Sequence, residues 1–212
     1  MELQTTRPSG TDFGVRPTHV TWDRRLAQVV SVIASPPLMG VTAVTLIAAT
    51  FATNQTWTLA ALYLALTIVL PLAFIVWLAR QGRVSDLDLS VRQERIVPLS
   101  FTLAVMSLGW LLLHTAAAPP LLRAFATLNV AQAALFLCIT LFWKISMHTT
   151  AVTALAVLSG FVVGEMALLL FLTIPLVAWS RLRLRRHTLS QTIAGALLGA
   201  LMCLAALHLY GV

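Results

Sequence analysis

Residues 151–179 read AVTALAVLSGFVVGEMALLLFLTIPLVAW, and whether this stretch crosses a bilayer once or twice sets the parity of the whole fold. A helix needs about 20 apolar residues to traverse the hydrocarbon core. Ala151–Val163 and Met166–Trp179 each fall short alone, but both reach that length when extended to Ser146 and to Arg183. Gly164-Glu165 is then a hinge between two passes. The alternative is one tilted helix, which would carry the following segment, SRLRLRRH at 180–187, to the opposite face.

The remaining sequence asks for the same solvent. Of 212 residues, 59% are hydrophobic and 10% charged, whereas soluble domains carry about 25% charged residues. That much apolar surface excludes an ordinary soluble globule and points to a bilayer. Further spans are expected at Val29–Phe51, kinked by Pro36-Pro37, and at Trp57–Leu78, Leu99–Ala117, Leu121–Phe142 and Leu189–Leu209. The chain therefore reads as an all-α, polytopic membrane bundle of about seven transmembrane helices. Residues 1–28 form a polar tail with a short interfacial helix around Trp22–Gln28, and residues 29–212 form a single transmembrane domain. The tail lacks the apolar core and cleavage site of a signal peptide. Cys138 and Cys203 lie inside apolar runs and read as small buried hydrophobes.

Charge tests this division, because the apolar runs were drawn without it. Seven spans place the N-terminal tail and the loops Arg80–Pro98, Trp143–Thr150 and Ser180–Ser190 on one side. Those segments hold 13 of the 14 Lys and Arg residues, leaving Arg123 opposite, and all the acids but Glu165. A single span over 151–179 would destroy that asymmetry. The positive-inside rule then makes the charged side cytoplasmic and the C-terminus external, as in an inner cell membrane.

Three polar clusters meet on that side, each at helix ends. The first holds Asp86, Asp88, Arg92, Glu94, Arg95 and Pro98, the second Lys144, Ser146 and His148, and the third Ser180, Arg181, His187 and Gln191. Guanidinium groups and helix N-termini bind a phosphate dianion. Two histidines on different loops could flank the phosphorus, one attacking and one protonating the leaving oxygen. A basic headgroup anchor would not need the histidines, and Arg183, Arg185 and Arg186 are assigned to that simpler role. Asp86 and Asp88 could ligate magnesium on a diphosphate, as in intramembrane prenyltransferases, but no second acidic motif accompanies them.

The three clusters resemble the type-2 phosphatidic acid phosphatase superfamily, whose motifs are K-x6-RP, PSGH and SR-x5-H-x3-D. SRLRLRRHTLSQ matches the third at Ser180, Arg181 and His187, ISMH matches the second at Ser146 and His148, and RQERIVP echoes the first through Arg95 and Pro98. The likeness runs from Arg80 to the C-terminus. It implies a six-helix core and a phosphohistidine mechanism that needs no metal and no cofactor. His187 would be the nucleophile and His148 the general acid. Arg181, Ser180, Ser146 and Arg95 would bind phosphoryl oxygens, with Arg92 or Lys144 standing for the missing lysine. The substrate would be a lipid phosphate or diphosphate, and the partners membrane lipids rather than nucleic acid.

Gln191 occupies the place of the family's aspartate. At i+4 it shares a helical face with His187 and can accept a bond from the ring, but it lacks the charge that stabilises imidazolium. Asp86, Asp88 or Glu94 could supply that charge from the first loop. Otherwise the chain binds or transfers a phosphorylated lipid without hydrolysing it.

Overall fold

A computed structural model describes residues 21–87, 89 and 91–211; the N-terminal tail before residue 21 and Asp88 lie outside the described residues. All regular structure among the described residues is helical. Helix α1 (Trp22–Ile33) and α2 (Pro36–Phe51) are bent by 44° at Ser35. The bend has a local cause, since Pro36 drives Ser35 into an extended conformation (φ −66°, ψ 145°). The first span expected from sequence is thus two segments, and the short helix expected around Trp22–Gln28 is part of α1, which continues to Ile33.

Helix α3 (Asn54–Leu64) runs through one π-helical turn, Ala65–Val69, into α4 (Leu70–Arg80). Pro71 explains the turn: its ring would clash with the carbonyl of Thr67, and widening the helix relieves the clash. After the loop and a 3₁₀ turn at Gln93–Arg95 come α5 (Ile96–Thr115) and α6 (Pro120–Phe142), the latter opened by Pro120 at its first position. Next are α7 (Met147–Val163), a short α8 (Leu168–Phe171), α9 (Thr173–Arg183) and α10 (Leu189–Leu209).

Among the described residues, five helical stretches are long and apolar enough to cross a membrane, and the bent α1–α2 pair makes six. One of the five is Met147–Phe171 taken as a single unit, yet the chain reverses within it. Gly164 adopts φ 66° and ψ −141°, a conformation that favours glycine. Beyond it α9 returns along α7, so that Arg181 meets His148 at 3.4 Å. A continuous helix would separate those residues by about 50 Å.

The main core is formed by α2, α3, α5, α6, α7 and α10, where Val44, Ile47, Tyr63, Leu113, Leu122 and Ala126 are buried. The outside remains apolar, with Leu197, Leu201 and Leu204 of α10 exposed. This surface is compatible with a multi-pass membrane protein. The tightest packing joins α10 to α7. A Cβ at Gly195 would collide with the Thr149 hydroxyl and the Ser146 carbonyl, and one at Gly199 with the Thr150 carbonyl. Glycines one turn apart let two backbones approach in this way, which brings the start of α10 beside the start of α7.

Candidate functional site

The site forms where the starts of α5, α7 and α10 converge with the end of α9. His148 lies in the first turn of α7, and His187 immediately precedes the Thr188 cap of α10. Arg181 lies in the last turn of α9 and Arg95 at the entry to α5. These four side chains line one cavity of about 520 Å³, whose wall is otherwise largely apolar and drawn from α2 to α7. Each of the four is at least nine-tenths buried, Arg181 to 1% exposure. The structure therefore joins the family-like motifs, which lie far apart in sequence.

Arg181 is held from several directions. Its Nη1 donates to Ser31 Oγ at 2.5 Å and approaches His148 Nε2 at 3.4 Å. Since guanidinium only donates, His148 Nε2 is the acceptor of that contact. Arg95 donates from Nε to the Leu89 carbonyl at 2.7 Å and from Nη1 to the Ile145 carbonyl at 3.5 Å. Both arginines thus enter the cavity wall with their planes set by backbone or hydroxyl oxygens. Sequence reasoning missed Ser31. Its only signal is that Ala27, Ser31 and Ala34 are small residues at near-helical spacing, and that face packs on α9.

Other expected phosphate ligands are committed elsewhere. Ser146 caps α7, accepting from Thr149 N–H at 3.4 Å, while its own N–H donates to the Gln191 carbonyl. Ser180 Oγ donates to the Ala27 carbonyl at 2.7 Å and pins α1 to α9. Arg92 donates to the carbonyls of Thr140 and Leu141, closing the end of α6. Lys144 Nζ donates to the Arg186 carbonyl at 2.8 Å. None of these four lines the cavity. Arg186 pairs with Asp86 at 3.3 Å and Arg183 with Asp23 at 2.5 Å. Glu94 accepts from the Ser85 backbone N–H and hydroxyl at 2.7 and 2.5 Å. Of the first-loop carboxylates that could have replaced the family's aspartate, Asp86 is thus engaged at Arg186 and Glu94 at Ser85, and Asp88 lies outside the described residues.

The ring of His187 is oriented by Gln191, whose Oε1 lies 3.1 Å from His187 Nδ1. The same oxygen accepts the Thr188 backbone N–H at 3.1 Å, completing a capping box in which Thr188 Oγ1 accepts from Gln191 N. A backbone N–H can only donate, so the capping box fixes which end of the amide faces the ring. Nδ1 must then carry the proton, leaving a lone pair on Nε2. Burial, followed by the charges of Arg181, Lys144 and Arg95, pushes His187 down to about 3. The ring is therefore neutral at pH 7. Burial and the neighbouring cations Arg95, Arg181 and Arg186 likewise lower the Lys144 ammonium to about 8. Crowded cations beside two helix N-termini attract an anion, and binding one would relieve their mutual repulsion.

No family model, curated protein or solved structure matches the chain. The chemistry of the site therefore rests on its own geometry.

Proposed function

We propose that the chain is an integral membrane phosphatase that hydrolyses a lipid phosphate or diphosphate through a phosphohistidine intermediate, a divergent relative of the type-2 phosphatidic acid phosphatases. The observation that carries this reading is the shared cavity, where His148, His187, Arg95 and Arg181 stand together at the head of an apolar chamber. Leu38 and Leu72 line the chamber while 46% and 42% exposed on the flank of the bundle, which suits sideways entry of a lipid tail.

In the proposed reaction Arg95 and Arg181 hold the phosphoryl oxygens, and the neutral His187 attacks phosphorus through Nε2. His148 enters this step as the imidazolium, its Nε2–H turned from Arg181 to the leaving oxygen, and gives that oxygen its proton as the P–O bond breaks. The now neutral His148 takes a proton from the water that attacks the phosphohistidine, releasing phosphate and regenerating both rings. Nδ1–H stays on Gln191 and keeps Nε2 aimed at the substrate. Positioning and charge stabilisation account for most of such a barrier. The membrane arrangement in this proposal has seven spans, with α8–α9 as the sixth, and the site faces the cytoplasm.

Gln191 favours one other reading, a protein that binds a lipid phosphate without hydrolysing it, because the amide cannot neutralise an imidazolium. The two separate on phosphate release from phosphatidic acid in mixed micelles containing EDTA. The phosphatase reading expects release that persists in EDTA and falls at least about 10³-fold in His187→Ala, the order expected when a covalent nucleophile is removed. Binding without release from any lipid phosphate leaves the second reading; release that stops in EDTA overturns both.

A further inference from the structure

The cavity is not uniformly apolar. Gln132, on α6, lines its wall although the residue is only 7% exposed. Its Nε2 has no hydrogen-bond partner among the described residues. A buried amide donor left in an apolar chamber is costly, and such groups are normally satisfied by whatever occupies the space. The polar groups that share the cavity bond elsewhere and none accepts from Gln132 Nε2: Asn129 Nδ2 donates to the Tyr63 hydroxyl and the Phe125 carbonyl at 3.1 Å, and Thr67 Oγ1 donates to the Tyr63 carbonyl at 2.8 Å.

Depth says what the amide can meet. Phe136 shares a packed cluster with Ile145 and Met147, which flank the start of α7 and so lie level with His148. Gln132 is one helical turn further from that face, about 6 Å deeper along α6. In an acylated glycerol phosphate the ester carbonyls lie only a few bonds from phosphorus, and they are good acceptors. An isoprenoid phosphate offers only hydrocarbon there, and a dialkyl ether of the same shape has a methylene in place of the carbonyl and keeps only the weakly accepting ether oxygen.

We propose that Gln132 is a specificity-determining residue whose amide donates to an ester carbonyl of an acylglycerol phosphate whose phosphate lies among Arg95, Arg181 and the histidines. The inference rests on the lipid-phosphate reading above and narrows it to ester-linked lipids. Isosteres differing only in that acceptor are discriminated through the unpaired donor they leave behind.

The test compares diacylglycerol phosphate with its dialkyl ether analogue in detergent micelles, in the wild type and in Gln132→Met. The expected result is a kcat/KM ratio favouring the ester by about five- to tenfold, the worth of one net hydrogen bond, and a ratio near one in the variant. Ligand-induced thermal shift with the same lipids provides a readout independent of turnover. A larger shift with the ester that disappears in Gln132→Met supports the role of Gln132 even if no phosphate is released, in which case hydrolysis alone is lost. Equal ratios and equal shifts in the wild type, or an ester preference that survives in the variant, overturn it. Should Gln132→Met not fold, Gln132→Leu, which also removes the donor, must abolish the preference.

Discussion

At the scale of single residues, the proposed chemistry turns on how His187 is kept neutral and aimed. Its burial beside Arg181 and Lys144 holds the ring proton affinity down at about 3, against 6.5 for a free imidazole. The unfolded chain therefore binds more protons than the folded one between those values, so stability must fall as pH drops through that window and be complete above it. Thermal unfolding followed from pH 7 to pH 4 should show this loss, and His187→Ala should flatten it. Gln191 bonds both the ring and the Thr188 backbone. Replacing it with alanine is expected to cost about 1 kcal/mol, the worth of the hydrogen bond lost to the Thr188 backbone, and in the phosphatase reading to lower phosphate release by freeing the ring. Gln191→Asp keeps an acceptor near Nδ1 and adds the missing charge; in the phosphatase reading its turnover should exceed that of the wild type, measured as phosphate release per folded protein.

At the scale of elements, the site depends on two close helix contacts. Gly199→Ala would drive a methyl group into the Thr150 carbonyl, which is backbone and cannot swing aside. Overpacking of this kind costs about 1–3 kcal/mol. A lowered melting temperature in detergent is expected, together with reduced release as the starts of α7 and α10 separate. The α1–α9 contact is polar: Ser31 supports Arg181, and Ala27 accepts from Ser180. Ser31→Ala removes one acceptor from a buried guanidinium and is expected to cost about 1–3 kcal/mol, with KM rising more than kcat falls. By contrast, the more exposed Arg183–Asp23 pair should be nearly silent when broken.

At the scale of the whole molecule, the decisive fact is the reversal at Gly164. With α9 folded back along α7, the proposed seven-span topology puts the loops around Arg83 and Arg185 on one face and those around Thr53 and Glu165 on the other. Single cysteines at these positions, introduced after Cys138 and Cys203 are replaced by alanine, should divide accordingly when sealed vesicles are labelled with an impermeant thiol reagent. Labelling of Arg185→Cys and Glu165→Cys from the same side would remove the sixth span and break the pairing of motifs that the mechanism needs.

Much of this was legible in the chain because it is local. Apolar run length marks Leu189–Leu209 and Leu121–Phe142 as spans, and Pro36 and Gly164 interrupt the helical backbone wherever the segment sits, whereas the π-helical turn before Pro71 within Trp57–Leu78 was not anticipated. The spacing of Arg181, His187 and Gln191 is likewise a property of one short segment. The assembly of the cavity is not local. Only tertiary contact could place Ser31 against Arg181, divert Arg92 to the end of α6, occupy Ser146 and Ser180 as structural bonds, and bring Gln132 into the chamber. Sequence determined which groups could bind phosphate and carry protons. The close approach of α10 to α7 and the return of α9 decided which of them share one space, because side-chain hydrogen bonds reach only about 3 Å while the residues concerned lie many turns apart.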